Sequence, residues 1–137
     1  MTASEWNARV IEQFRAGGEI EGMHRERLVL LTTTGRSSGE RRTAPMMFLP
    51  DDGDAILVVA SADAAPDDPD WFLNLVADPH VHVEAPDGEY DATAEPLDGE
   101  DRERAWAHVL ALAPFFADHQ DSVDRTIPVI RLTRSGR

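Results

Sequence analysis

The spacing of hydrophobic and polar positions predicts a chain built mainly of strands, with a few helices between them. Near the N-terminus, apolar residues recur every three or four positions and predict an amphipathic helix over about residues 4–16. The same spacing predicts a short helix over about 69–77 and a longer one from 99 to about 114, with a short continuation over 115–120. Apolar runs bounded by glycine, proline and aspartate predict six strands. These strands cover about residues 27–34, 41–49, 55–61, 80–85, 89–97 and 127–133.

The order of these elements favours an antiparallel barrel over a parallel sheet. Most of the strands follow one another through short turns, whereas a parallel sheet would place a helix after nearly every strand. A chain of 137 residues is large enough for one hydrophobic core, and no repeat, linker or low-complexity segment divides it. The sequence therefore predicts a single α+β domain over residues 1–137, with six antiparallel strands and flanking helices.

The balance of charged residues narrows the classes of partner. Acidic residues number 26 against 13 basic ones, all of them arginine, which gives a formal net charge of −13. This surplus argues against nucleic acid or an anionic membrane as the main partner, and it makes a local cluster of arginines informative. The absence of cysteine excludes disulfides, thiolate nucleophiles and cysteine metal sites.

Neither a membrane span nor a secretory signal is predicted. No apolar run approaches the ~20 residues that a membrane helix requires. The first residues lack the basic and apolar segments of a signal peptide. We therefore expect a cytoplasmic protein without an integral membrane segment. These features leave a monomer and a homodimer both open.

The most informative segment is a polar turn between two apolar runs. Residues 32–45 read Thr-Thr-Thr-Gly-Arg-Ser-Ser-Gly-Glu-Arg-Arg-Thr-Ala-Pro. Gly35 and Gly39 let the backbone approach a ligand closely, and arginine pairs with phosphate oxygens through parallel hydrogen bonds. This chemistry predicts a cradle for an anion. The alternative is an ordinary hairpin turn with solvated arginines.

Alternation along the next strand separates its two arginines. Arg42 shares a face with Ala44 and Met46, whereas Arg41 lies on the other face. Regular strand geometry therefore prevents both arginines from serving the same phosphate.

Several short motifs follow one another from this turn to the end of the chain. They are Thr-Thr-Thr-Gly-Arg-Ser-Ser-Gly at 32–39, Arg-Thr-Ala-Pro-Met at 42–46, Val-Ala-Ser at 59–61, Pro-Asp-Trp-Phe-Leu-Asn-Leu at 69–75, Asp-Pro at 78–79 and Arg-Thr-Ile-Pro-Val at 125–129. In this succession the chain resembles the deazaflavin-dependent nitroreductase family, a branch of the split β-barrel flavin/deazaflavin oxidoreductases. Several motifs in the correct order are more specific than any one of them alone.

The resemblance implies both a fold and an activity. The implied fold is a six-stranded antiparallel split β-barrel of the FMN-binding split-barrel type. The implied cofactor is coenzyme F-420, an 8-hydroxy-5-deazaflavin, whose reduced form donates a hydride to a quinone, a nitroaromatic or another unsaturated small molecule. Two alternatives stay open: an FMN-binding split-barrel reductase, and a non-catalytic barrel that binds a small molecule.

The resemblance also implies a set of cofactor-binding residues from four of the motifs. These are Gly35, Arg36, Ser37, Ser38, Gly39, Arg42, Thr43, Ala44, Pro45, Met46, Ser61, Trp71 and Asn74. Arg36 and Arg42, together with the turn amides, would hold the phosphate, and the family register selects Arg42 over its neighbour Arg41.

The remaining implied residues surround the ring. Pro45, Met46 and Met47 would line it, and Ser61 would lie beside it. Trp71 and Asn74 would sit at the ring pocket or its lid. The substrate side would be formed by Trp71, Ala113, Phe116 and His119.

The chain departs from the family pattern at several positions. Ser37 and Asp67 stand where lysine is common, and Ala62-Asp63-Ala64 stands where the family has Asn-Gly-Gly. Ala113, Phe116 and His119 replace aromatic residues that are usually tyrosines. Negative charge at Asp63, Asp67 and Asp68 is expected to disfavour an anionic tail. The lost lysine and glycines motivate the FMN alternative, and the lost tyrosines motivate the non-catalytic one.

Two histidine features complete the candidate chemistry. His119 is a candidate proton donor, because the pKa of histidine suits neutral pH; the alternative is a surface residue at a helix end. His80 and His82 share a strand face, but no third ligand lies near them in the sequence, so no metal site is predicted.

Overall fold

The computed structural model describes residues 3–17, 20, 25–51 and 53–135. Its four helices are α1 (Ala3–Ala16), α2 (Asp70–Ala77), α3 (Gly99–Leu112) and α4 (Phe115–Asp121). Its six strands are β1 (Leu28–Thr34), β2 (Arg41–Pro50), β3 (Ile56–Val59), β4 (His80–Ala85), β5 (Gly88–Pro96) and β6 (Val129–Arg134). Short 3-10 segments at Arg25–Arg27 and Ala62–Ala64 precede β1 and follow β3.

The six strands of the described chain close into an antiparallel barrel in the order β1-β2-β3-β6-β5-β4. Strands β1 and β2 form a hairpin in which Thr34 faces Arg41 and Leu31 faces Ala44. Strand β6, the last in sequence, enters between β3 and β5 and so joins the two halves. The predicted six-stranded antiparallel split barrel with flanking helices is confirmed.

Burial on two sides explains the continuous apolar run of β1. Val29 and Leu31 point into the barrel, where they pack with residues of the other strands. Leu28 and Leu30 point outward and pack against Val10 and other apolar residues of α1. A strand covered on both faces needs no polar alternation, so the sequence pattern and the packing agree.

A second apolar core lies outside the barrel, between β3 and β6 and the two C-terminal helices. Val109 on α3 and Phe116 on α4 pack there against Val59 and Val129. The second core covers the outer face of these strands and leaves the opposite side of the barrel to α1.

An ion pair fixes the end of α1 to the barrel wall. The Arg15 guanidinium donates from Nε to Glu84 Oε1 at 3.0 Å and from Nη2 to Glu84 Oε2 at 2.8 Å. Glu84 lies on β4, and its side chain is only 15% exposed. The hydrogen bond from Arg15 lowers the pKa of the Glu84 carboxyl below its usual value.

We expect Glu84→Gln to lower the free energy of unfolding at neutral pH by about 1 kcal/mol, because a bidentate bond between partly exposed charges contributes on that scale. The pKa of Glu84 is lowered in the folded protein. Its contribution is therefore present above the ordinary glutamate pKa and is lost as the pH falls through the lowered value. Urea unfolding at neutral and acidic pH measures both effects, and the loss should shrink at acidic pH.

Glu89→Gln provides the matched control, because Glu89 lies on the same hairpin and its side chain is 69% exposed. Its substitution should change stability by less than about 0.5 kcal/mol at either pH. An equal loss from Glu84→Gln at both pH values would contradict the linkage.

Candidate active site

A cleft of about 580 Å³ opens at the end of the barrel where β1 finishes and β2 begins. The turn between these strands forms one wall, the start of α2 forms another, and α1 contributes one residue. The lining residues are Asn7, Gly35, Arg36, Ser37, Ser38, Arg42, Thr43, Ala44, Pro69, Asp70, Trp71 and Asn74. The cleft therefore collects most of the predicted cofactor-binding residues in one place.

Backbone hydrogen bonds within the turn determine its shape. The Gly35 N–H donates to the Glu40 carbonyl at 2.7 Å, and the Gly39 N–H donates to the Gly35 carbonyl at 2.9 Å. A Cβ at Gly35 would lie 2.6 Å from Ser38 Oγ and 3.2 Å from the Glu40 carbonyl oxygen. Gly39 has a φ of +74°, in the left-handed region. Each glycine is thus required for a different reason: Gly35 for space and Gly39 for conformation.

A buried amide ties this turn to α2. Asn74 Oδ1 accepts from the Arg36 N–H at 3.1 Å and from Arg36 Nη1 at 2.8 Å. Its Nδ2 donates to Thr33 Oγ1 at 3.3 Å, and the residue is only 4% exposed. Arg36 Nη2 also pairs with Asp70 Oδ1 at 3.2 Å. Asn74 therefore acts between protein groups, and it holds Arg36 against the first turn of α2.

Two backbone donors of the turn, on residues that line the cleft, have no protein partner in the part of the chain that the structure describes. Within the described residues, the N–H groups of Ser37 and Ser38 make no hydrogen bond. Arg42 pairs with Glu40 at 3.1 Å, but its side chain is 65% exposed. Arg41 donates instead to Thr34 Oγ1 at 2.8 Å and does not line the cleft. The available donors are two amides and one guanidinium, which suits an anion.

The residues predicted to line the ring lie in three different places in the structure. Trp71 and Ala44 border the cleft. Met46 is 9% exposed and packs inside the barrel, below the cleft, with Pro45 beside it on β2. Met47 points to the opposite face and packs in the second core. Met47 therefore does not border the cleft, in contrast to the ring-lining position that the resemblance implies for it, because side chains alternate along β2.

Ser61 lies just after β3 and is 6% exposed, without lining the cleft. The 3-10 turn Ala62–Ala64 follows it, with φ values of +49° at Ala62 and +63° at Ala64. Ala64 stands where the family pattern has glycine and Ala62 where it has asparagine, and the left-handed conformation strains both alanines. The side chain of Asp63 lies outside the described residues. The role predicted for Ser61 stays a prediction.

The predicted substrate-side residues other than Trp71 lie away from the cleft. Ala113 and Phe116 are buried in the second core. The His119 ring packs edge-on against Phe115 and Phe116, with ring centroids 5.6 Å apart in both cases. His119 Nδ1 is buried and has no hydrogen-bond partner among the described residues. None of these three residues lines the cleft, so their role in substrate binding stays a prediction.

Fewer uncompensated negative charges lie near the cleft than the sequence alone would predict. Asp68 is paired with Arg125 at 2.8 Å, so its charge is compensated. Asp67 is exposed. The charged residues that line the cleft are Arg36, Arg42 and Asp70, a net charge of +1 in a strongly acidic chain.

Two other cavities are less suited to an anionic cofactor. One, of about 350 Å³, lies at the opposite end of the barrel beside Tyr90, and four acidic residues line it against one arginine. The other, of about 630 Å³, lies between the end of β2 and α3, and its lining has no Trp, Tyr or Phe ring. Volume alone does not separate the cavities, but their chemistry does.

The contacts of His82 and the lengths of the helices relate to the sequence predictions about a metal site and a membrane span. His82 Nδ1 lies 2.8 Å from Asp91 and its Nε2 lies 3.3 Å from Glu89. Among the residues that the structure describes, no group of three His, Cys, Asp or Glu side chains is arranged to hold a metal ion. In the same part of the chain, no helix combines the length and apolarity needed to cross a membrane.

Sequence reasoning missed two residues. Asn7 lines the cleft from α1, and nothing in an amphipathic helix pattern marks it. Arg125 makes four hydrogen bonds to the segment between β3 and α2. It belongs to a motif that the resemblance includes, which was the available signal, but local sequence gives no indication of its partners.

Comparisons with known proteins agree with this fold and site. A solved structure of an F420-H2 dependent reductase, FDR-A, superposes with a TM-score of 0.70 at 38% identity, covering 81% of this chain and 99% of that one. A second, described as a domain-swapped dimer, gives a TM-score of 0.73 at 34% identity and covers 96% of this chain and 99% of its own. The class is therefore the split-barrel reductases.

The family follows from sequence. The F420H(2)-dependent quinone reductase Rv1261c of Mycobacterium tuberculosis is 36% identical over 109 residues, which cover 77% of this chain and 72% of that protein. The model of the family described as F420H(2)-dependent quinone reductase matches residues 5–134. The chain belongs to this family, and the prediction of an F-420-dependent oxidoreductase is confirmed at the level of the family.

We expect Asn74→Leu to lower the free energy of unfolding by about 2 kcal/mol, because it leaves the Arg36 N–H and the Thr33 hydroxyl without their buried partner. Thr33→Val is the matched control, since it keeps the side-chain shape and removes a single hydrogen bond. It should cost about 1 kcal/mol. Urea unfolding measures both, and equal losses would show that Asn74 contributes no more than the Thr33 contact.

We expect Ala64→Gly to raise the free energy of unfolding by roughly 0.5 to 1 kcal/mol, because glycine removes the left-handed strain at this position at a smaller entropic cost. Ala65→Gly is the control in the same loop, because Ala65 has a φ of −64°. It should be destabilising by a similar amount. Thermal unfolding distinguishes the two, and destabilisation by both variants would contradict the strain.

Proposed function

We propose that the protein transfers a hydride from reduced coenzyme F-420 to a quinone in the cleft between the β1–β2 turn and α2. The observation that carries the proposal is the grouping of two unpartnered amides, from Ser37 and Ser38, with Arg42 and the Trp71 indole around one cleft. Its volume of about 580 Å³ is in the usual range for small-molecule sites. Family membership supports the same activity.

The residues present fit both parts of the cofactor. Its anionic tail requires hydrogen-bond donors and positive charge, and the turn supplies them at Ser37, Ser38 and Arg42. Its flat ring requires an apolar surface, and Trp71 and Ala44 supply one beside those donors.

The proposed roles follow from which donors are already engaged. Arg42 and the free turn amides hold the phosphate. Arg36, whose guanidinium is engaged by Asn74 and Asp70, keeps α2 against the turn and faces the same anion. Pro45, Met46 and Ser61 lie deeper along the barrel wall, where contact with the ring is proposed from the family resemblance.

When bound, the reduced deazaflavin supplies the hydride, and the protein contributes binding, orientation and exclusion of water. Trp71, which borders the cleft, would contact the quinone. Since the His119 ring is packed on two phenylalanines and does not line the cleft, the proton that accompanies reduction comes from solvent. A nitroaromatic or another unsaturated acceptor is a second substrate class for the same site.

We also propose the cellular location and the oligomeric state, in less detail than the activity. We propose a cytoplasmic protein that is a monomer or a homodimer, as the sequence suggests. A similar structure described as a domain-swapped dimer supports the homodimer. Size-exclusion chromatography with light scattering distinguishes the two states.

The experiment that tests the proposed function is a parallel titration of the protein with F-420, FMN and FAD. We expect F-420 to bind most tightly, because an anionic tail matches the turn donors. Arg42→Ala should weaken F-420 binding about tenfold or more, since hydrogen bonds to a charged group contribute about 1.5 to 3 kcal/mol. Reduced F-420 should then turn over with menadione as the acceptor.

Arg41→Ala is the matched control, because the neighbouring arginine points to Thr34 on the other face. It should change the F-420 affinity less than about twofold. Absence of F-420 binding at high micromolar concentration would overturn the proposal. Tighter binding of FMN with a flavin absorption band would favour the FMN alternative, and binding without turnover would favour the non-catalytic one.

A further inference from the structure

One partly buried arginine makes hydrogen bonds along the connection between β3 and α2. The Arg125 side chain is 14% exposed. Its Nε donates to the Ala65 carbonyl at 3.1 Å, and its Nη2 donates to the Ser61 carbonyl at 2.9 Å. Its Nη1 donates to the Ala60 carbonyl at 3.1 Å and to Asp68 Oδ1 at 2.8 Å. The guanidinium thus contacts the connection at its start, its middle and its end.

These contacts give the connection a shape that its own sequence does not favour. Residues 60–69 contain two alanines with positive φ, at 62 and 64, and no regular structure beyond the 3-10 turn. A planar fork with five N–H groups on three nitrogens reaches carbonyls in several directions at once, whereas the three N–H groups of a lysine all lie on one nitrogen. The shape of the connection therefore depends on the guanidinium.

The backbone at and just after Arg125 is hydrogen-bonded to side chains of two helices. Gln120 on α4 donates from Nε2 to the Arg125 carbonyl at 2.7 Å and accepts from the Ile127 N–H at 2.8 Å. Arg102 on α3 donates from Nη2 to the Ile127 carbonyl at 2.7 Å. These hydrogen bonds connect the backbone around Arg125 to the helices of the second core and not to the cleft.

The connection leads directly into the cleft wall. Asp68, the last partner of Arg125, is followed by Pro69 and Asp70, and both line the cleft. Asp70 is the first residue of α2, which carries Trp71 and Asn74. At the other end of the connection, the Ser61 carbonyl is held by the same guanidinium.

We propose that Arg125 is a positioning residue that sets where α2 begins, and therefore how the cleft presents Trp71 to the cofactor and where Asn74 meets Arg36. The inference rests on the proposed function for its ligand. It extends that function to a residue that lies outside the cleft and touches no part of the bound molecule.

The test compares Arg125→Lys with Arg131→Lys. Arg131 is a matched control, because it also donates to a carboxylate, Asp51 Oδ2 at 2.6 Å, but at the opposite end of the barrel. Two readouts are taken: amide hydrogen exchange without ligand, and the dissociation constant for oxidised F-420 from fluorescence titration. Melting temperatures of both variants show the general cost of losing a guanidinium.

We expect Arg125→Lys to accelerate exchange over residues 61–74 while leaving β4 and β5 unchanged, and to weaken F-420 binding at least tenfold. Arg131→Lys should leave both properties within twofold of wild type. Unchanged exchange over 61–74, or equal changes in F-420 affinity in the two variants, would overturn the positioning role.

Asp68→Asn gives a second route if Arg125→Lys does not fold. It keeps the three carbonyl contacts and removes the ion pair, and we expect faster exchange over residues 66–72 with a two- to fivefold loss of F-420 affinity. Wild-type behaviour in both readouts would count against the proposal. The exchange readout needs no cofactor, so a wild-type protein that fails to bind F-420 would refute the proposed function and leave the positioning result separately decided.

Discussion

The cleft depends on the buried side-chain amide of Asn74, which joins three parts of the chain. Its oxygen accepts from the backbone and the guanidinium of Arg36, and its nitrogen donates to Thr33 at the end of β1. A buried amide that lost these partners would carry a penalty of a few kcal/mol, so the turn, the strand end and α2 hold one relative position. The other features of the site, from the free amides to the position of Trp71, depend on this arrangement.

Ion pairs offset most of the charge around the cleft, although the protein as a whole is strongly acidic. The whole chain carries a formal charge of −13, whereas the residues that line the cleft carry +1. Three carboxylates in or near the cleft are paired with arginine: Asp70 with Arg36, Glu40 with Arg42, and Asp68 with Arg125. The ion pairs thus serve two purposes, because they shape the cleft wall and they reduce the repulsion that a negatively charged tail would meet.

Much of the fold was predictable because its signals are local. Apolar runs and glycine turns marked all six strands, and the covered faces of β1 explain why one of these runs has no alternation. Boundaries were less accurate. The third strand was expected to reach residue 61 but ends at Val59, since the backbone beyond it turns to meet Arg125. The longer helix ends at Leu112 and a separate one begins at Phe115.

The part of the candidate site formed by residues adjacent in sequence was predictable. The residues brought to it from distant parts of the chain were not. The turn residues follow one another in sequence, so Arg42 and its neighbours were identified together, and strand alternation correctly separated Arg41. Asn7 comes from a helix that reaches the cleft only through packing, and Arg125 acts on carbonyls about 60 positions earlier. Contacts of this kind depend on the closed barrel, which no short pattern encodes.

Hydrogen exchange measured with and without oxidised F-420 tests most directly whether this cleft is the cofactor site. The predicted result is slower exchange at the amides of Ser37 and Ser38 and over the first turn of α2, with no change around Tyr90 at the other end of the barrel. Slower exchange around Tyr90, or an unchanged turn at saturating F-420, would contradict the assignment of the cleft.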